Sequence, residues 1–283
     1  MSIKTVGVIG AGTMGNGIAQ VCAVAGLAVV LIDVSDAAIQ RGLDALRGSL
    51  ERQVKKGTVT SADRDAAIQR VTASTSYDAL KGADLVIEAA TENVELKVRI
   101  LKQVDDIIGA ETTFATNTSS ISITQLAAVV SHPERFIGMH FFNPVPVMGL
   151  LELIRGLQTS DETHLRAVEF AQAIGKSPVT VRNSPGFAVN RILVPMINEA
   201  IFVLQEGLAT AEDIDSGMKL GCNHPIGPLA LADLIGIDTL LAVMQVFYEG
   251  FNDPKYRPAP LLKEMVAAGR LGRKSGRGFY SYQ

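Results

Sequence analysis

The feature that most constrains the fold is a glycine-rich loop near the start of the chain. The loop reads Gly10-Ala11-Gly12-Thr13-Met14-Gly15. Residues 4–9 before it predict a short buried strand, and residues 16–25 after it predict a helix that Gly26 ends. Residues 27–32 form a second apolar run rich in valine. Strand, glycine turn, helix and strand in this order are typical of a βαβ unit that binds a dinucleotide.

The spacing of the glycines gives this loop a physical reason to hold a pyrophosphate. Gly10 allows the tight turn, Gly12 lets the backbone approach the phosphates, and Gly15 lets the helix pack closely on the strand. Thr13 and Met14 of the loop lead into the helix, whose N-terminus faces the phosphates with free N–H groups. A glycine turn in another kind of α/β protein is the alternative.

A carboxylate ends the second strand and bears on the choice of cofactor. Asp33 follows the loop by about 20 residues, the spacing at which an acidic side chain accepts hydrogen bonds from an adenosine ribose. A carboxylate there repels a 2′-phosphate, so the sequence predicts NAD rather than NADP. Capping of the next helix is the other role open to Asp33, although Ser35 and Asp36 can serve there.

Further along, strand and helix patterns alternate, which predicts an α/β fold. Strands are predicted at 83–88, 112–115, 135–142, 151–154 and 179–181, and helices at 36–57, 61–70, 94–108 and 122–130. Such alternation indicates a Rossmann-like, doubly wound and mostly parallel sheet with helices on both faces. The helices at 36–57 and 61–70 form a hairpin inserted between strands.

The character of the sequence changes near residue 184. Strand patterns largely disappear, and helices are predicted at 189–205, 211–220 and 235–248. A chain of 283 residues is long enough for two domains. We therefore predict a dinucleotide-binding domain over 1–183 and an all-helical domain over 184–283.

One histidine supplies a group that the glycine loop lacks. His140 lies near the end of a predicted strand, in the run Gly-Met-His-Phe-Phe-Asn-Pro-Val-Pro at 138–146. An imidazole can take or give a proton near neutral pH. With a dinucleotide nearby, it suggests hydride transfer at one carbon coupled to proton transfer at its oxygen. A hydrogen-bonded core histidine is the alternative.

Five motifs, in their order along the chain, resemble the L-3-hydroxyacyl-CoA dehydrogenases. They are the glycine loop, residues 117–120 (Asn-Thr-Ser-Ser), the histidine run, residues 185–191 (Pro-Gly-Phe-Ala-Val-Asn-Arg) and residues 276–280 (Gly-Arg-Gly-Phe-Tyr). The resemblance covers nearly the whole chain, and the short, stand-alone length is similar to the 3-hydroxybutyryl-CoA branch. It implies NAD-dependent interconversion of (S)-3-hydroxyacyl-CoA and 3-ketoacyl-CoA.

The resemblance also implies roles for the residues at the reacting carbon. His140 would exchange the hydroxyl proton, and Glu152 would orient its imidazole. Glu152 lies in an otherwise apolar run, where a carboxylate is unfavourable unless it is paired. Ser119 and Asn190 would contact the substrate oxygens, which implies a site between the domains. A helix N-cap for Ser119, with Ser120 and Ser122 competing for it, and a buried structural amide for Asn190 are the alternatives.

Further contacts are implied in the same way. The cofactor contacts are Glu92, Lys97, Asn117, Ser119, Asn143 and Lys274, with Asn143 also near the substrate. The inserted hairpin would bind CoA through Ser49 and Lys56, where three cations cluster and suit its phosphates. Taken singly, Glu92 and Lys97 also fit a surface pair, Lys274 a solvated charge, and the hairpin cations a solvated helix face.

Composition limits the possible partners. The formal net charge of −3 gives no global basic field for nucleic acid or membrane, and glycines, Asn16 and Gln20 interrupt the apolar stretch over 5–32. Cys22 and Cys222 form neither a metal motif nor an expected disulfide in a chain that we predict to be cytoplasmic. No metal is predicted. The family suggests a homodimer through the helical domain.

Two other functions stay open from the sequence. The first is a related dehydrogenase that acts on a free hydroxy acid or a sugar acid. The second is a non-enzymatic role like that of lambda-crystallin, a lens protein that shares this fold. Sugar-acid relatives use a catalytic lysine that has no obvious counterpart here, and His140, Glu152, Ser119 and Asn190 together favour retained chemistry.

Overall fold

The fold is described by a computed structural model that covers residues 3–282. The chain divides into two compact units between Asn183 and Ser184. The first unit is built on an eight-stranded sheet, and the second is helical. This architecture confirms the predicted fold class.

The first unit contains all eight strands and six α-helices in alternation. The strands are β1 (Thr5–Ile9), β2 (Ala28–Ile32), β3 (Val71–Ser74), β4 (Leu85–Glu88), β5 (Thr113–Thr116), β6 (Phe136–Phe141), β7 (Leu150–Arg155) and β8 (Ser177–Arg182). The helices are α1 (Thr13–Val24), α2 (Asp36–Lys55), α3 (Ser61–Gln69), α4 (Val94–Asp105), α5 (Ile123–Ala127) and α6 (Asp161–Ala173). The predicted segments therefore form, with ends displaced by a few residues. The edge strand β3 was not predicted, because its four residues are short and half-exposed and show no apolar pattern.

The strand order is β3-β2-β1-β4-β5-β6-β7-β8. Neighbours are parallel except for β6 and β7, which pair antiparallel. The order reverses between β1 and β4, and in open α/β sheets ligands bind outside the carboxyl ends of the strands at such a point. β4, β5 and β6 are buried along their whole length, as parallel strands covered by helices on both faces must be.

The inserted hairpin consists of α2 and α3. Ser35 caps α2 by accepting a hydrogen bond from the Ala38 N–H, and Thr60 caps α3 in the same way from Asp63. Leu46 and Leu50 of α2 are buried in the core of the unit, and this helix packs mainly against α1 through one apolar stripe.

The second unit contains α7 (Val189–Gln205), α8 (Ala211–Gly221), α9 (Pro228–Ile235), α10 (Ile237–Phe251) and α11 (Pro260–Ala267). The helix predicted over 235–248 forms as α10, with its start displaced by two residues, whereas α9 and α11 were not predicted. Gly236 has a φ of +102° and separates α9 from α10, which meet at an angle of 97°. Apolar periodicity runs across the break, because both helices bury the same kind of side chain in one core.

Within residues 3–282, no single helix has the length and apolar character needed to cross a membrane. The bent pair α9 and α10 passes that test only when the two helices are taken together. Most of the apolar side chains that give the pair this character, including Leu240, Met244 and Phe247, are buried in the core of the second unit.

The two cysteines differ in exposure, and we expect them to differ in reactivity. Cys222 is exposed, whereas Cys22 is fully buried on α1, and burial raises the pKa of its thiol to about 12. The thiolate is the reactive form, so Cys22 should be inert near pH 8. Titration of the folded protein with an aromatic disulfide reagent should therefore release one equivalent of thiolate, and titration in guanidinium should release two. Two equivalents from the folded protein would contradict this assignment.

Candidate active site

The predicted site residues of the first unit gather at one edge of the sheet. The glycine loop follows β1, Asp33 follows β2, Glu92 follows β4, and Asn117 and Ser119 follow β5. His140 lies at the end of β6, which runs parallel to these strands. The carboxyl ends of parallel strands meet at the same edge, so the topology brings these groups to the point where the strand order reverses.

The glycine loop has the geometry expected of a pyrophosphate cradle. Gly10 has a φ of +97°, and a Cβ on it would lie 2.6 Å from the Ala90 backbone. A Cβ on Gly15 would lie 1.7 Å from the Gly10 oxygen. A Cβ on Gly12 would meet no protein atom within 4 Å, and no side chain caps the N-terminus of α1 above it. The loop therefore leaves open space beside helix N–H groups, which fits a phosphate.

Asp33 is held beside this loop. Its Oδ2 accepts a hydrogen bond of 2.7 Å from the Ala11 N–H, and its Oδ1 accepts one of 2.7 Å from the Val34 N–H. Ser35, not Asp33, caps α2, so the capping alternative does not hold. Each carboxylate oxygen has a second lone pair, which a ribose hydroxyl can use.

A cavity of about 590 Å³ lies next to Asp33. Its lining combines apolar side chains such as Ile32 and Ile100 with polar ones, namely Asp33, Arg99 and Gln103. Apolar walls with a few hydrogen-bonding groups suit an adenosine.

His140 and Glu152 form a buried pair. They are directly opposite in the antiparallel register of β6 and β7, and the His140 Nδ1 lies 2.7 Å from the Glu152 Oε2. Glu152 is fully buried, and His140 is 6% exposed. A carboxylate at Nδ1 fixes the orientation of the ring. The pair has the arrangement of a general acid–base and its orienting group.

Ser119 and Glu92 lie in the loops that follow β5 and β4. The Glu92 Oε1 accepts hydrogen bonds from the Ser119 N–H at 2.6 Å and the Ser119 hydroxyl at 2.8 Å. It also accepts one from the Thr118 hydroxyl at 3.1 Å. Ser122 caps α5, so the N-cap alternative for Ser119 does not hold. Glu92 thus fixes the position of the Ser119 hydroxyl.

Asn117 ties the ends of two strands together. Its Oδ1 accepts a hydrogen bond of 2.9 Å from the Phe141 N–H, beside His140. Asn143 is exposed in the loop between β6 and β7. Both amides therefore lie at the same edge of the sheet as His140.

Lys97 is not part of a surface pair with Glu92. It is fully buried, and its ammonium donates hydrogen bonds to the Glu88 carboxylate and to the Thr116 hydroxyl. The other Glu88 oxygen accepts a hydrogen bond from the Ala90 N–H at 2.9 Å. The sequence left a surface pair of Glu92 and Lys97 open, because both flank the start of α4, but Lys97 is buried, and burial requires a charged partner. Glu88 was missed, and its signal is a carboxylate ending an apolar strand.

The hairpin forms a second cavity, of about 410 Å³, with the loop between β6 and β7. Ser49, Arg52 and Lys56 line it from α2 and its C-terminal end, and Pro144 and Val147 line it from the loop. Ser49 and Lys56 were predicted to bind CoA, and Arg52, one helical turn beyond Ser49, lines the same cavity. Two cations facing apolar side chains suit a phosphate attached to a less polar chain.

The remaining predicted residues, Asn190 and Lys274, lie in the second unit. Asn190 is on the first turn of α7. The Lys274 ammonium forms an ion pair with Asp238, and this bond lowers the Asp238 pKa against the opposing effect of burial. Among residues 3–282 there is no group of three or more histidine, cysteine, aspartate or glutamate side chains that could hold a metal ion.

Comparisons with known proteins place this geometry in a family. Residues 5–184 match the model "3-hydroxyacyl-CoA dehydrogenase, NAD binding domain", and residues 186–282 match "3-hydroxyacyl-CoA dehydrogenase, C-terminal domain". A 3-hydroxybutyryl-CoA dehydrogenase of Bradyrhizobium diazoefficiens is 53% identical over 99% of this chain and 96% of its own length. A probable 3-hydroxybutyryl-CoA dehydrogenase of Bacillus subtilis is 51% identical over 100% of this chain and 99% of its own.

A solved structure agrees with these matches. The crystal structure of an (S)-3-hydroxybutyryl-CoA dehydrogenase from Ralstonia eutropha superposes with a TM-score of 0.98 at 67% identity, and the match covers 100% of both chains. The fold, the NAD-binding domain and the order of the motifs therefore agree with one family over the full length. This chain is an NAD-dependent oxidoreductase that belongs to the 3-hydroxyacyl-CoA dehydrogenase family.

Proposed function

We propose that this protein interconverts (S)-3-hydroxybutyryl-CoA and acetoacetyl-CoA, with NAD as the redox partner. The observation that carries the proposal is the buried bond of 2.7 Å between the His140 imidazole and the Glu152 carboxylate, at the carboxyl edge of the dinucleotide-binding sheet. The substrates named for the relatives from Bradyrhizobium diazoefficiens and Ralstonia eutropha support the choice of a four-carbon acyl-CoA.

The chain's own groups account for the proton in this reaction. NAD, when bound, supplies the acceptor for the hydride that leaves C3 of the hydroxyacyl group. The His140 Nε2 takes the hydroxyl proton as the ketone forms, and it returns that proton in the direction of reduction. Glu152 stabilises the imidazolium, because the carboxylate lies opposite the developing positive charge.

Ser119 and Glu92 would act on the substrate oxygen and the nicotinamide side of the site. Glu92 accepts hydrogen bonds from the Ser119 N–H and hydroxyl, so the serine oxygen is presented at a fixed place as an acceptor. An acceptor that is positioned before the substrate arrives orients the hydroxyl group of a 3-hydroxyacyl substrate without reorganisation. Asn190 as a substrate contact, and Asn117, Asn143, Lys97 and Lys274 as cofactor contacts, stay predictions.

The CoA moiety would occupy the cavity of the hairpin. Arg52 and Lys56 supply positive charge, and Ser49 supplies a hydroxyl, while Pro144 and Val147 supply apolar contacts for the pantetheine arm. This cavity favours an acyl-CoA substrate over a free hydroxy acid, because a free hydroxy acid has no phosphate groups for the cations of the inserted hairpin to bind.

The test is oxidation of NADH in the presence of acetoacetyl-CoA, followed through the nicotinamide absorbance. We expect a kcat/KM of about 10⁴ M⁻¹s⁻¹ or more, typical of an enzyme with its own substrate. Free acetoacetate should react at least about a hundredfold more slowly, and NADPH about tenfold or more below NADH, because of Asp33. Preferred reduction of free acetoacetate would favour the hydroxy-acid alternative, and binding of NADH without turnover of either would favour a non-enzymatic role.

The Gly12→Ala variant tests whether the glycine loop binds the cofactor, because it should weaken NADH binding without disturbing the fold. A methyl group at this position meets no protein atom within 4 Å, so the free energy of unfolding should change by less than about 1 kcal/mol. The same methyl group would enter the space of the pyrophosphate, and we expect the Kd for NADH to rise about tenfold or more. Fluorescence titration of NADH measures the Kd, and thermal unfolding measures the stability.

Gly217→Ala is the matched control for this change. Gly217 lies inside α8, and a Cβ there also meets no atom within 4 Å. Its affinity for NADH should equal that of the wild type. Equal affinities for NADH in the wild type, Gly12→Ala and Gly217→Ala would show that the glycine loop does not bind the cofactor.

A homodimer and a cytoplasmic location are further parts of the proposal. The second unit exposes large apolar side chains, among them Ile192 at 73% and Leu220 at 87%, which a second copy could cover. Light scattering of the purified protein tests the dimer, because a mass near 30 kDa would show a monomer.

A further inference from the structure

Lys176 lies directly before β8, and neither the family resemblance nor the predicted chemistry used it. The residue is only 7% exposed, and its ammonium donates hydrogen bonds to the Val145 oxygen at 2.5 Å and to the Met148 oxygen at 2.7 Å. Both acceptors belong to the loop of residues 142–149, which joins the strand of His140 to the strand of Glu152. A buried cation thus bridges two carbonyl groups of one loop.

The same loop is anchored from two other directions. The Val145 side chain is buried against α1, where a Cβ on Gly17 would lie 2.9 Å from the Val145 Cβ. The Ser177 N–H donates to the Gly149 oxygen at 2.7 Å. The loop also closes on itself, because the Val147 and Met148 N–H groups donate to the Pro144 oxygen. The inner side of the loop is therefore fixed, and its outer side carries Pro144 and Val147.

The outer side is one wall of the hairpin cavity. Pro144, Pro146 and Val147 line that cavity opposite Ser49, Arg52 and Lys56. Lys176 lines an adjoining cavity of about 420 Å³, which shares Gln53 and Pro146 with the hairpin cavity. Burial lowers the pKa of the Lys176 ammonium, partly opposed by the nearby Cys22. A lysine placed in such surroundings is unfavourable unless its hydrogen bonds are used.

We propose that Lys176 is a positioning residue for the CoA moiety: by bridging the Val145 and Met148 carbonyls, it fixes the loop of residues 142–149 as the wall against which the CoA chain binds. This inference rests on the proposed function, and it assigns Lys176 no contact with the reacting atoms. Loss of the bridge leaves two carbonyl groups without their donor, and the wall can then adopt several positions. Binding of the CoA chain must then order the loop, and the free-energy cost of this ordering weakens the binding.

The test compares a long and a short substrate. Acetoacetyl-CoA uses the hairpin cavity, whereas the N-acetylcysteamine thioester of acetoacetate carries the same reacting group without the nucleotide. Lys176→Met removes the donor and keeps the length of the side chain. We expect kcat/KM for acetoacetyl-CoA to fall at least about tenfold, mainly through KM, while kcat/KM for the short thioester changes by less than about twofold.

Lys102→Met is the matched control. Lys102 is exposed near the end of α4, and its variant should keep both values. An equal fall for both substrates in Lys176→Met would show a general structural role and overturn the inference. Failure of wild-type protein to reduce either thioester would instead overturn the proposed function.

A second variant covers the case in which Lys176→Met does not fold. Lys176→Gln keeps a polar end that can bind water at the same carbonyls, yet it is too short to bridge them directly. The same selective loss with acetoacetyl-CoA is expected. If neither variant yields folded protein while Lys102→Met does, Lys176 serves the core alone and the inference is wrong.

Discussion

His140→Gln should lower kcat for the reduction of acetoacetyl-CoA by about 10²–10⁴-fold, the range for loss of a general acid–base. Glutamine keeps hydrogen-bonding capacity near Glu152, but it cannot carry the proton at the reacting oxygen. The KM for NADH should stay within about twofold, because the glycine loop and Asp33 lie on other strands. Steady-state kinetics with NADH varied at saturating acetoacetyl-CoA measure both values.

Two further variants serve as a comparison and as a control for His140→Gln. Glu152→Gln keeps the shape of the pair and removes the charge that stabilises the imidazolium, so a smaller loss of about 10–10²-fold is expected. His164→Gln changes a histidine on α6 whose Nε2 is bonded to Thr180, and its kcat should match the wild type. A His140→Gln enzyme with more than about a tenth of the wild-type kcat would rule out His140 as the proton-transfer group.

Lys97→Met should lower the free energy of unfolding by about 3–5 kcal/mol, the usual result of removing one partner of a buried ion pair. Lys97 and Glu88 are both 0% exposed, so the variant leaves a buried carboxylate without its cation. A loss of this size is a large part of the roughly 5–15 kcal/mol that stabilises a typical domain. Urea unfolding followed by circular dichroism measures it.

The control again comes from α4. Lys102→Met removes an exposed lysine from the same helix and should change stability by less than about 1 kcal/mol. The double variant Glu88→Gln/Lys97→Met removes both charges; the amide oxygen can still accept from the Ala90 N–H, and the amide NH2 group can donate to the Thr116 hydroxyl. It should recover at least about half of the loss. A double variant less stable than Lys97→Met would show that the ion pair is not the source of the effect.

The sequence predicted those parts of the structure that depend on near neighbours along the chain. The glycine loop, the strands on either side of α1 and the position of Asp33 follow from local turn chemistry and apolar periodicity. The motif around His140 placed it at the end of a strand for the same reason. The short helix α9 was not predicted, because only eight residues carry its pattern before Gly236 separates it from α10.

Only the tertiary structure decided which distant groups meet. The antiparallel register of β6 and β7 brings His140 opposite Glu152, and a shift by one residue would turn one of them to the other face of the sheet. Lys97 pairs with Glu88 and not with Glu92, because its ammonium is buried away from water and forms an ion pair with the carboxylate that it reaches. The carbonyl groups that Lys176 binds lie far from it in the sequence, and no local pattern encodes that contact. The sequence by itself thus determined the fold class and the kind of chemistry, while register and burial determined the pairs of residues that the chemistry and the stability depend on.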